Sequence, residues 1–175
     1  MIKGVNVIIR SIIKSDRESY FNWINDRELV HFNSIFKPIS ELDHHDWFEK
    51  ISKLKNLVIY SIIERSSNIL IGSCSLRNIN YVFKSAELQI RIGEKDYHNT
   101  GFGSEAIKLL LKHAFLDLNL KRVYLYVFEN NLRAVKAYKK CGFLEEGCLR
   151  SAAYIDGKYL NIKLMAILKN EYIKL

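Results

Sequence analysis

The chain has 175 residues, of which 49% are hydrophobic and 26% charged, which is the balance of one globular domain (residues 1–175) and excludes a disordered chain. The apolar runs fall short of the roughly 18 residues of a membrane helix, and charges interrupt the N-terminal one, so we expect neither membrane insertion nor export. Three cysteines without a C-x-x-C pair predict reduced thiols and a cytoplasmic location. The net charge of +8 is typical of a protein that binds a phosphorylated ligand or nucleic acid, or reflects a biased composition.

The first half of the chain predicts a strand, two helices and a hairpin. β-Branched residues from Val5 to Ile13 favour the strand. Capping-box patterns at Ser15–Glu18 and Ser40–Asp43 open the two helices, the first of which runs to about Asn25. Weak periodicity over Asp26–Ile39 predicts a loop between them. The hairpin strands are Leu57–Ile63 and Ile69–Leu76.

The second half alternates strands with strongly periodic helices. Glu87–Ile92 alternates polar and apolar residues, as a strand with one buried face does. Ser104–Leu118 has helical spacing, Val123–Phe128 is apolar on both faces, and Leu132–Lys140 predicts a short helix. Two final strands, Leu149–Ile155 and Lys158–Leu168, flank an Asp-Gly turn. The order of elements predicts an α/β domain with one mixed sheet.

The sharpest motif is the hexapeptide His98–Gly103, which separates a strand from an amphipathic helix. Its two glycines allow a tight turn and leave backbone N–H groups free at a helix N-terminus, where phosphate commonly binds. A tight loop without a ligand is an equally good interpretation of the glycines alone. The segment Gly101–Ala106 also matches the dinucleotide pattern G-x-G-x-x-G/A, but eight residues (93–100) separate it from a half-polar strand, which argues against that fold.

Three segments, 92–106, 131–134 and 137–143, together resemble the GCN5-related N-acetyltransferases (GNAT family). The similarity extends to the branch of ribosomal-protein alanine acetyltransferases, and the tail from Gly147 to Leu164 is similar to bacterial spermidine acetyltransferases. It implies a GNAT-like acyl-CoA acyltransferase fold, with about six to seven strands flanked by about four helices. It also implies acetyl-CoA as co-substrate, a primary amine as acceptor, and no metal.

The resemblance assigns coenzyme contacts to particular residues. Amides of the loop and of the following helix would hold the coenzyme A pyrophosphate, and pantetheine would pair with the backbone of the preceding strand. In this family an Asn contacts the coenzyme and a Tyr lies beside the thioester sulfur. The corresponding residues here are Ile90, Ile92, His98, Asn99, Thr100, Gly101, Phe102, Gly103, Ser104, Asn131 and Tyr138. His98 and Asn99 depart from the usual loop residues.

The implied chemistry requires few groups. A primary amine with a pKa of about 10.4 is neutral only about once in 2,500 molecules at pH 7, so a base must deprotonate it. Glu87 is the candidate base, a backbone N–H near Ile92 the oxyanion donor, and Tyr138 the acid that protonates the departing thiolate. The structural alternatives are a core tyrosine with a satisfied hydroxyl and a solvated strand glutamate.

Other interpretations stay open at this point. A non-catalytic acetyl-CoA-binding module is the alternative function, and the scattered lysines argue against a nucleic-acid partner. The adjacent His44 and His45 predict a solvated helix face rather than a metal site. The acceptor is a protein N-terminus, a polyamine, or an amino-sugar or other small metabolite, and a homodimer is open. We expect Asp26–Ile39 and the hairpin Leu149–Asn161 to determine specificity.

Overall fold

A mixed, eight-stranded sheet forms the centre of the fold in the computed structural model, which describes residues 1–51 and 53–174. The strand order is β1-β2-β3-β4-β5-β6-β8-β7, and neighbouring strands are antiparallel except for β5 and β6. The strands are β1 (Ile2–Lys3), β2 (Val7–Ser11), β3 (Val58–Glu64), β4 (Leu70–Asn80), β5 (Ser85–Ile92), β6 (Arg122–Phe128), β7 (Leu144–Ile155) and β8 (Lys158–Leu168).

Six α-helices flank this sheet in the described ranges. They are α1 (Arg17–Asn25), α2 (Arg27–His31), α3 (Glu41–Ile51), α4 (Phe102–Lys112), α5 (Leu132–Lys140) and α6 (Lys169–Tyr172). The mixed α/β class is confirmed, whereas the predicted six to seven strands and four helices undercount the elements. The additions include β1, α2 and α6, which have two, five and four residues and are too short to produce a periodic sequence signal.

The helix starts show which capping predictions were right. Ser40 caps α3, because its hydroxyl accepts the Asp43 N–H at 3.1 Å. The predicted capping box at Ser15–Glu18 was wrong. Asp16 is buried instead, and its carboxylate accepts hydrogen bonds from Arg10 at 2.7 and 2.8 Å and from Ser61 at 2.6 Å. The capping-box pattern assigned the cap to the Ser15 hydroxyl and the Glu18 carboxylate, but α1 begins without a side-chain cap.

The predicted loop 26–39 contains a helix. Asp26 supplies its cap, because its carboxylate accepts the N–H groups of Glu28 at 2.9 Å and Leu29 at 3.2 Å. Leu29 then joins a small apolar cluster with residues of α1 and α3 on one face of the sheet. The five-residue helix α2 is therefore stabilised by its cap and by tertiary packing rather than by length.

The main core lies between α4 and the opposite face of the sheet. Ala106, Ile107, Leu110 and Leu111 form one buried face of α4, and they belong to one core cluster with buried residues of β4, β5 and β6. On β5 the buried residues alternate with more exposed ones, as the sequence pattern predicts. The N-terminus of α4 is thereby fixed beside the end of β5.

The two central strands separate before they end. Strand β5 pairs with β6 only where Ser85–Glu87 lies beside Arg122–Tyr124. Beyond Glu87, β5 keeps its pairing with β4, and β6 pairs with β8 along its whole length. A gap therefore opens in the sheet between the second half of β5 and β6.

Candidate active site

A cleft of about 520 Å³ lies at this gap and extends over the start of α4 and one side of α5. Nine of the twelve residues proposed from the sequence line it: Ile90, Ile92, His98, Asn99, Gly101, Gly103, Ser104, Asn131 and Tyr138. Glu87, Thr100 and Phe102 do not line it. Residues that are 48 positions apart in the chain thus meet in one site.

The loop before α4 presents free backbone N–H groups to the cleft. Gly101 has a φ of +90° and caps the helix, and its carbonyl accepts the Glu105 N–H at 3.0 Å. Because this is the first hydrogen bond of the helix, three earlier N–H groups have no acceptor within it. They belong to Phe102, Gly103 and Ser104. Such a helix start binds anions, and an L side chain at Gly101 would be strained because of its φ.

Of the two remaining loop residues, Thr100 and Phe102, neither presents its side chain to the cleft. The Thr100 hydroxyl donates to the Tyr97 carbonyl at 2.8 Å, which closes the turn, and the Phe102 ring packs on the Tyr97 ring at 5.8 Å. Both side chains therefore stabilise the turn, and only the Phe102 N–H is left for a ligand.

The backbone of β5 faces the gap at Ile90 and Ile92. The Gly93 N–H donates to the Ile71 carbonyl at 2.8 Å, and bonded pairs alternate along antiparallel strands. The N–H and carbonyl groups of Ile90 and Ile92 consequently point away from β4. His98 Nε2 lies 3.0 Å from the Ile92 carbonyl, so the Ile92 N–H and both Ile90 groups are left for an extended ligand.

Tyr138 forms a buried wall of the cleft. Its side chain packs edge-on against Phe143, with 5.8 Å between ring centroids. Burial, with a smaller contribution from Cys141, raises the pKa of the Tyr138 phenol to about 12. The phenol is therefore protonated at neutral pH. Among residues 1–51 and 53–174, no group hydrogen-bonds its hydroxyl, which leaves that hydroxyl for a ligand.

Asn131 lines the cleft and also stabilises the structure around it. Its Oδ1 accepts the Ala134 N–H at 3.2 Å and so caps α5, and its Nδ2 donates to the Phe32 carbonyl at 3.3 Å. The Arg133 guanidinium lies 5.9 Å from the centre of the Phe32 ring. Asn131 thus ties the segment after α2 to α5 across the cleft.

The Asp26–Ile39 segment forms the opposite wall, through Glu28, Leu29, Phe32 and Asn33. The hairpin of β7 and β8 does not line the cleft, but its turn residue Asp156 accepts a hydrogen bond from Arg27 at 2.9 Å. Of the two segments expected to determine specificity, Asp26–Ile39 lines the site directly. The hairpin Leu149–Asn161 contacts it through α2.

Three cations on α5, which were not among the predicted site residues, also line the cleft. Arg133, Lys136 and Lys140 lie on α5 at steps of three and four residues, so they share one helix face along the cleft. That spacing is the signal by which the sequence could have revealed them. Together with the free N–H groups of α4, they fit the phosphates of coenzyme A.

Glu87 lies where β5 and β6 are still paired, opposite Tyr124. Its half-buried carboxylate accepts hydrogen bonds from Asn78 at 3.0 Å and from Gln89 at 3.1 Å. The structure therefore places the proposed base at the closed end of the gap, outside the lining of the cleft.

The two adjacent histidines differ in their surroundings. His45 is exposed, as expected, but His44 is buried against Phe21 and Trp47, and this burial lowers its pKa. The prediction that both share a solvated face was wrong for His44, which is an aromatic core residue. Within residues 1–51 and 53–174, no group of three or more His, Cys, Asp or Glu side chains has the arrangement of a metal site. No helix in those ranges is long and apolar enough to cross a membrane.

Comparison with known proteins identifies the family of the chain. The acetyltransferase (GNAT) domain family matches residues 6–144. A spermidine N(1)-acetyltransferase of Vibrio cholerae is 32% identical over 171 residues, which cover 94% of each chain. A putative ribosomal N-acetyltransferase of Bacillus subtilis is 28% identical over 127 residues, which cover 73% of this chain and 67% of that protein.

The fold also matches a solved structure. The crystal structure of spermidine N-acetyltransferase from Vibrio cholerae in complex with CoA and spermine superposes with a TM-score of 0.87 at 30% identity, covering 96% of this chain and 98% of the other. These relatives do not favour a non-catalytic module. The chain belongs to the GNAT family and is an acetyl-CoA-dependent N-acetyltransferase that acts on a primary amine.

Proposed function

We propose that Tyr138 is the general acid of the acetyl transfer. Its phenol lines the cleft and has no hydrogen-bond partner among the described residues. Because burial holds the pKa of the phenol at about 12, the proton is present throughout the neutral range. The phenol donates that proton to the coenzyme thiolate as the carbon–sulfur bond breaks.

Backbone groups of β5 position the thioester. The Ile92 N–H faces the gap and donates to the carbonyl oxygen, where negative charge develops as the amine attacks. His98 Nε2 lies 3.0 Å from the Ile92 carbonyl, which belongs to the next peptide group, and this contact orients the backbone that follows the Ile92 N–H. The N–H groups at the start of α4 and the cations of α5 hold the phosphates.

Glu87 is the base that removes a proton from the substrate ammonium. Its position outside the lining of the cleft means that the proton passes through an intervening water. The two amide donors, Asn78 and Gln89, orient the carboxylate. The neutral amine then forms the carbon–nitrogen bond, and the carbon–sulfur bond breaks as the thiolate takes the Tyr138 proton. The second nitrogen proton leaves through solvent and returns to the Tyr138 phenolate, which gives the amide and free coenzyme A.

The acceptor is an aliphatic polyamine. The relatives named spermidine N-acetyltransferase support this choice, and so does the charge beside the cleft. A second depression shares Leu29 and Lys95 with the cleft and carries the carboxylates of Asp26, Glu94 and Asp96. Three carboxylates against one lysine make this end negative, which attracts a second ammonium group of the substrate.

The test is release of free coenzyme A from acetyl-CoA, followed with a thiol reagent. The amines are spermidine, spermine, an amino-sugar nucleotide and peptides with different N-terminal residues. Spermidine-dependent release at a higher kcat/KM than with the peptides supports the proposal. Release only with the sugar or the peptides contradicts the polyamine, and no release with any amine contradicts the proposed roles.

We also propose that the protein is cytoplasmic and forms a homodimer. A cytoplasmic location is supported by the three free thiols, Cys74, Cys141 and Cys148. A homodimer is supported by β7, a twelve-residue edge strand whose Leu144, Leu149 and Tyr154 are exposed. Light scattering on the purified chain distinguishes the dimer from a monomer.

A further inference from the structure

The side chain of Lys95 connects the two walls of the cleft. Lys95 follows β5, shortly before the loop His98–Gly103, and it lines both the cleft and the acidic depression beside it. Its Nζ lies 2.6 Å from a carboxylate oxygen of Glu28 and 3.1 Å from one of Asp26, at the start of α2 in the opposite wall. These ion pairs join distant parts of the chain, and the proposed mechanism assigns them no role.

The Asp26 carboxylate is held in place by α2 as well as by Lys95. Its Oδ1 caps the helix by accepting the N–H groups of Glu28 at 2.9 Å and Leu29 at 3.2 Å. Its other oxygen, Oδ2, is the one that contacts Lys95. Leu29 in turn is buried in the apolar cluster with residues of α1 and α3. The cap and the core therefore keep this carboxylate at the cleft when the lysine leaves.

The Lys95 side chain has the same chemistry as the end of an aliphatic polyamine. Its four-carbon stem and ammonium form an aminobutyl group, which is also the group at both ends of putrescine and at one end of spermidine. Hydrogen bonds to Glu28 and then to Asp26 raise the pKa of Lys95, so the ammonium is charged at neutral pH. The two carboxylates of α2 thus already bind a primary alkylammonium group, beside the depression that attracts the second ammonium of the substrate.

These ion pairs can exchange with a ligand from solution. The side chain of Lys95 is 51% exposed and that of Glu28 is 80% exposed. Exposed ion pairs are weak, and the exchange of one ammonium for another conserves their number. Because Lys95 is tethered beside its partners, it competes with a free amine at an effective concentration on the order of millimolar. A polyamine therefore has to be abundant to replace it.

We infer that Lys95 is a specificity-determining residue, whose ammonium occupies the site of the second substrate ammonium at Asp26 and Glu28 until a polyamine displaces it. The inference rests on the proposed polyamine acceptor and adds how the binding of that acceptor is controlled. Lys95 raises the polyamine concentration at which the enzyme works. An amine with one ammonium group avoids this competition, because its single ammonium is the one that is acetylated.

Lys95→Met tests the inference, since methionine has an unbranched side chain without a charge. We expect the KM for spermidine to fall about fivefold, because one exposed ion pair corresponds to up to about fivefold in a binding constant. The kcat/KM for butylamine, which has one ammonium group, and the KM for acetyl-CoA should stay within about twofold. A lysine that only stabilises α2 gives the opposite sign, because a loosened wall raises the KM for every amine.

Two further variants control for charge. Lys50→Met removes the same charge from an exposed ion pair, with Asp46 at 3.4 Å on α3, outside the cleft and the depression, so it should leave every constant unchanged. Lys95→Arg keeps the cation and should keep the KM for spermidine within about twofold. Titration calorimetry of spermidine into each chain saturated with coenzyme A should show the same fivefold gain in affinity for Lys95→Met, independently of turnover. Thermal unfolding establishes that all variants are folded.

The outcomes separate this inference from the proposed function. If spermidine is acetylated but its KM in Lys95→Met is unchanged or raised, the inference is refuted and the polyamine acceptor stands. An equal fall in Lys50→Met also refutes it, because net charge then accounts for the effect. So does an equal gain for butylamine. If the native chain neither acetylates nor binds spermidine, the proposed acceptor fails and the inference fails with it.

Discussion

Tyr138→Phe tests the general acid most directly, since it removes one oxygen atom. The ring and its edge-on contact with Phe143 stay, and no described residue loses a hydrogen bond. The free energy of unfolding should therefore change by no more than about 0.5 kcal/mol. A general acid typically contributes 10²–10⁴-fold, so we expect kcat to fall about 100-fold, which corresponds to about 2.7 kcal/mol of activation free energy.

The assay compares kcat, the KM for acetyl-CoA and the melting temperature of the variant and the native chain. Tyr172→Phe is the matched control, because Tyr172 packs on Phe115 at 5.1 Å and lies outside the cleft. We expect it to leave kcat and KM unchanged. Since burial raises the Tyr138 pKa to about 12, the native kcat should show no alkaline fall below about pH 10.

A kcat for Tyr138→Phe within about twofold of the native value would refute the general-acid role. So would a fall in kcat that is matched by an equal loss of coenzyme affinity, because the hydroxyl would then act in binding. A lowered melting temperature would instead assign the hydroxyl to the core. The three results are separable since kinetics and unfolding are measured on the same samples.

Three further predictions concern the loop, the base and the buried ion pair. Gly101→Ala places a side chain at φ +90°, so it should lower stability by about 1 kcal/mol and raise the KM for acetyl-CoA several-fold; Gly147→Ala, with open space and no such φ, should change neither. Glu87→Gln should lower kcat most at low pH, where the amine needs the base, and an unchanged pH–rate profile would contradict that role. Burial raises the pKa of Asp16, but hydrogen bonds from Arg10 and Ser61 outweigh this effect and lower it. Its stabilisation is therefore present above the unfolded pKa of about 3.9 and is lost as the pH falls through the folded value. Asp16→Asn should cost about 3 kcal/mol at pH 7 in urea unfolding and reduce the acid dependence of stability; an acid dependence equal to that of the native chain would contradict this.

Elements that depend on local patterns were predicted from the sequence, and elements that depend on contacts between distant residues were not. The strong period of α4 and the alternation along β5 predicted both elements, because each depends on which face is buried. The short helix α2 was missed, since Leu29 packs against α1 and α3 and this contact has no local signature. The capping box predicted at Ser15–Glu18 failed as well, because α1 begins without a side-chain cap and the adjacent Asp16 carboxylate binds Arg10 and Ser61.

The sequence by itself predicted the type of site: the glycines before an amphipathic helix allow a phosphate loop, and the resemblance of residues 92–106, 131–134 and 137–143 to the GNAT family pointed to acetyl-CoA. Only the tertiary structure decided which of these groups meet. Separation of β5 from β6 opens the cleft, frees the Ile92 N–H, and leaves Glu87 at the closed end. The fold also decided that Lys95 pairs with Asp26 and Glu28, which no local pattern shows, because these residues are distant in the chain.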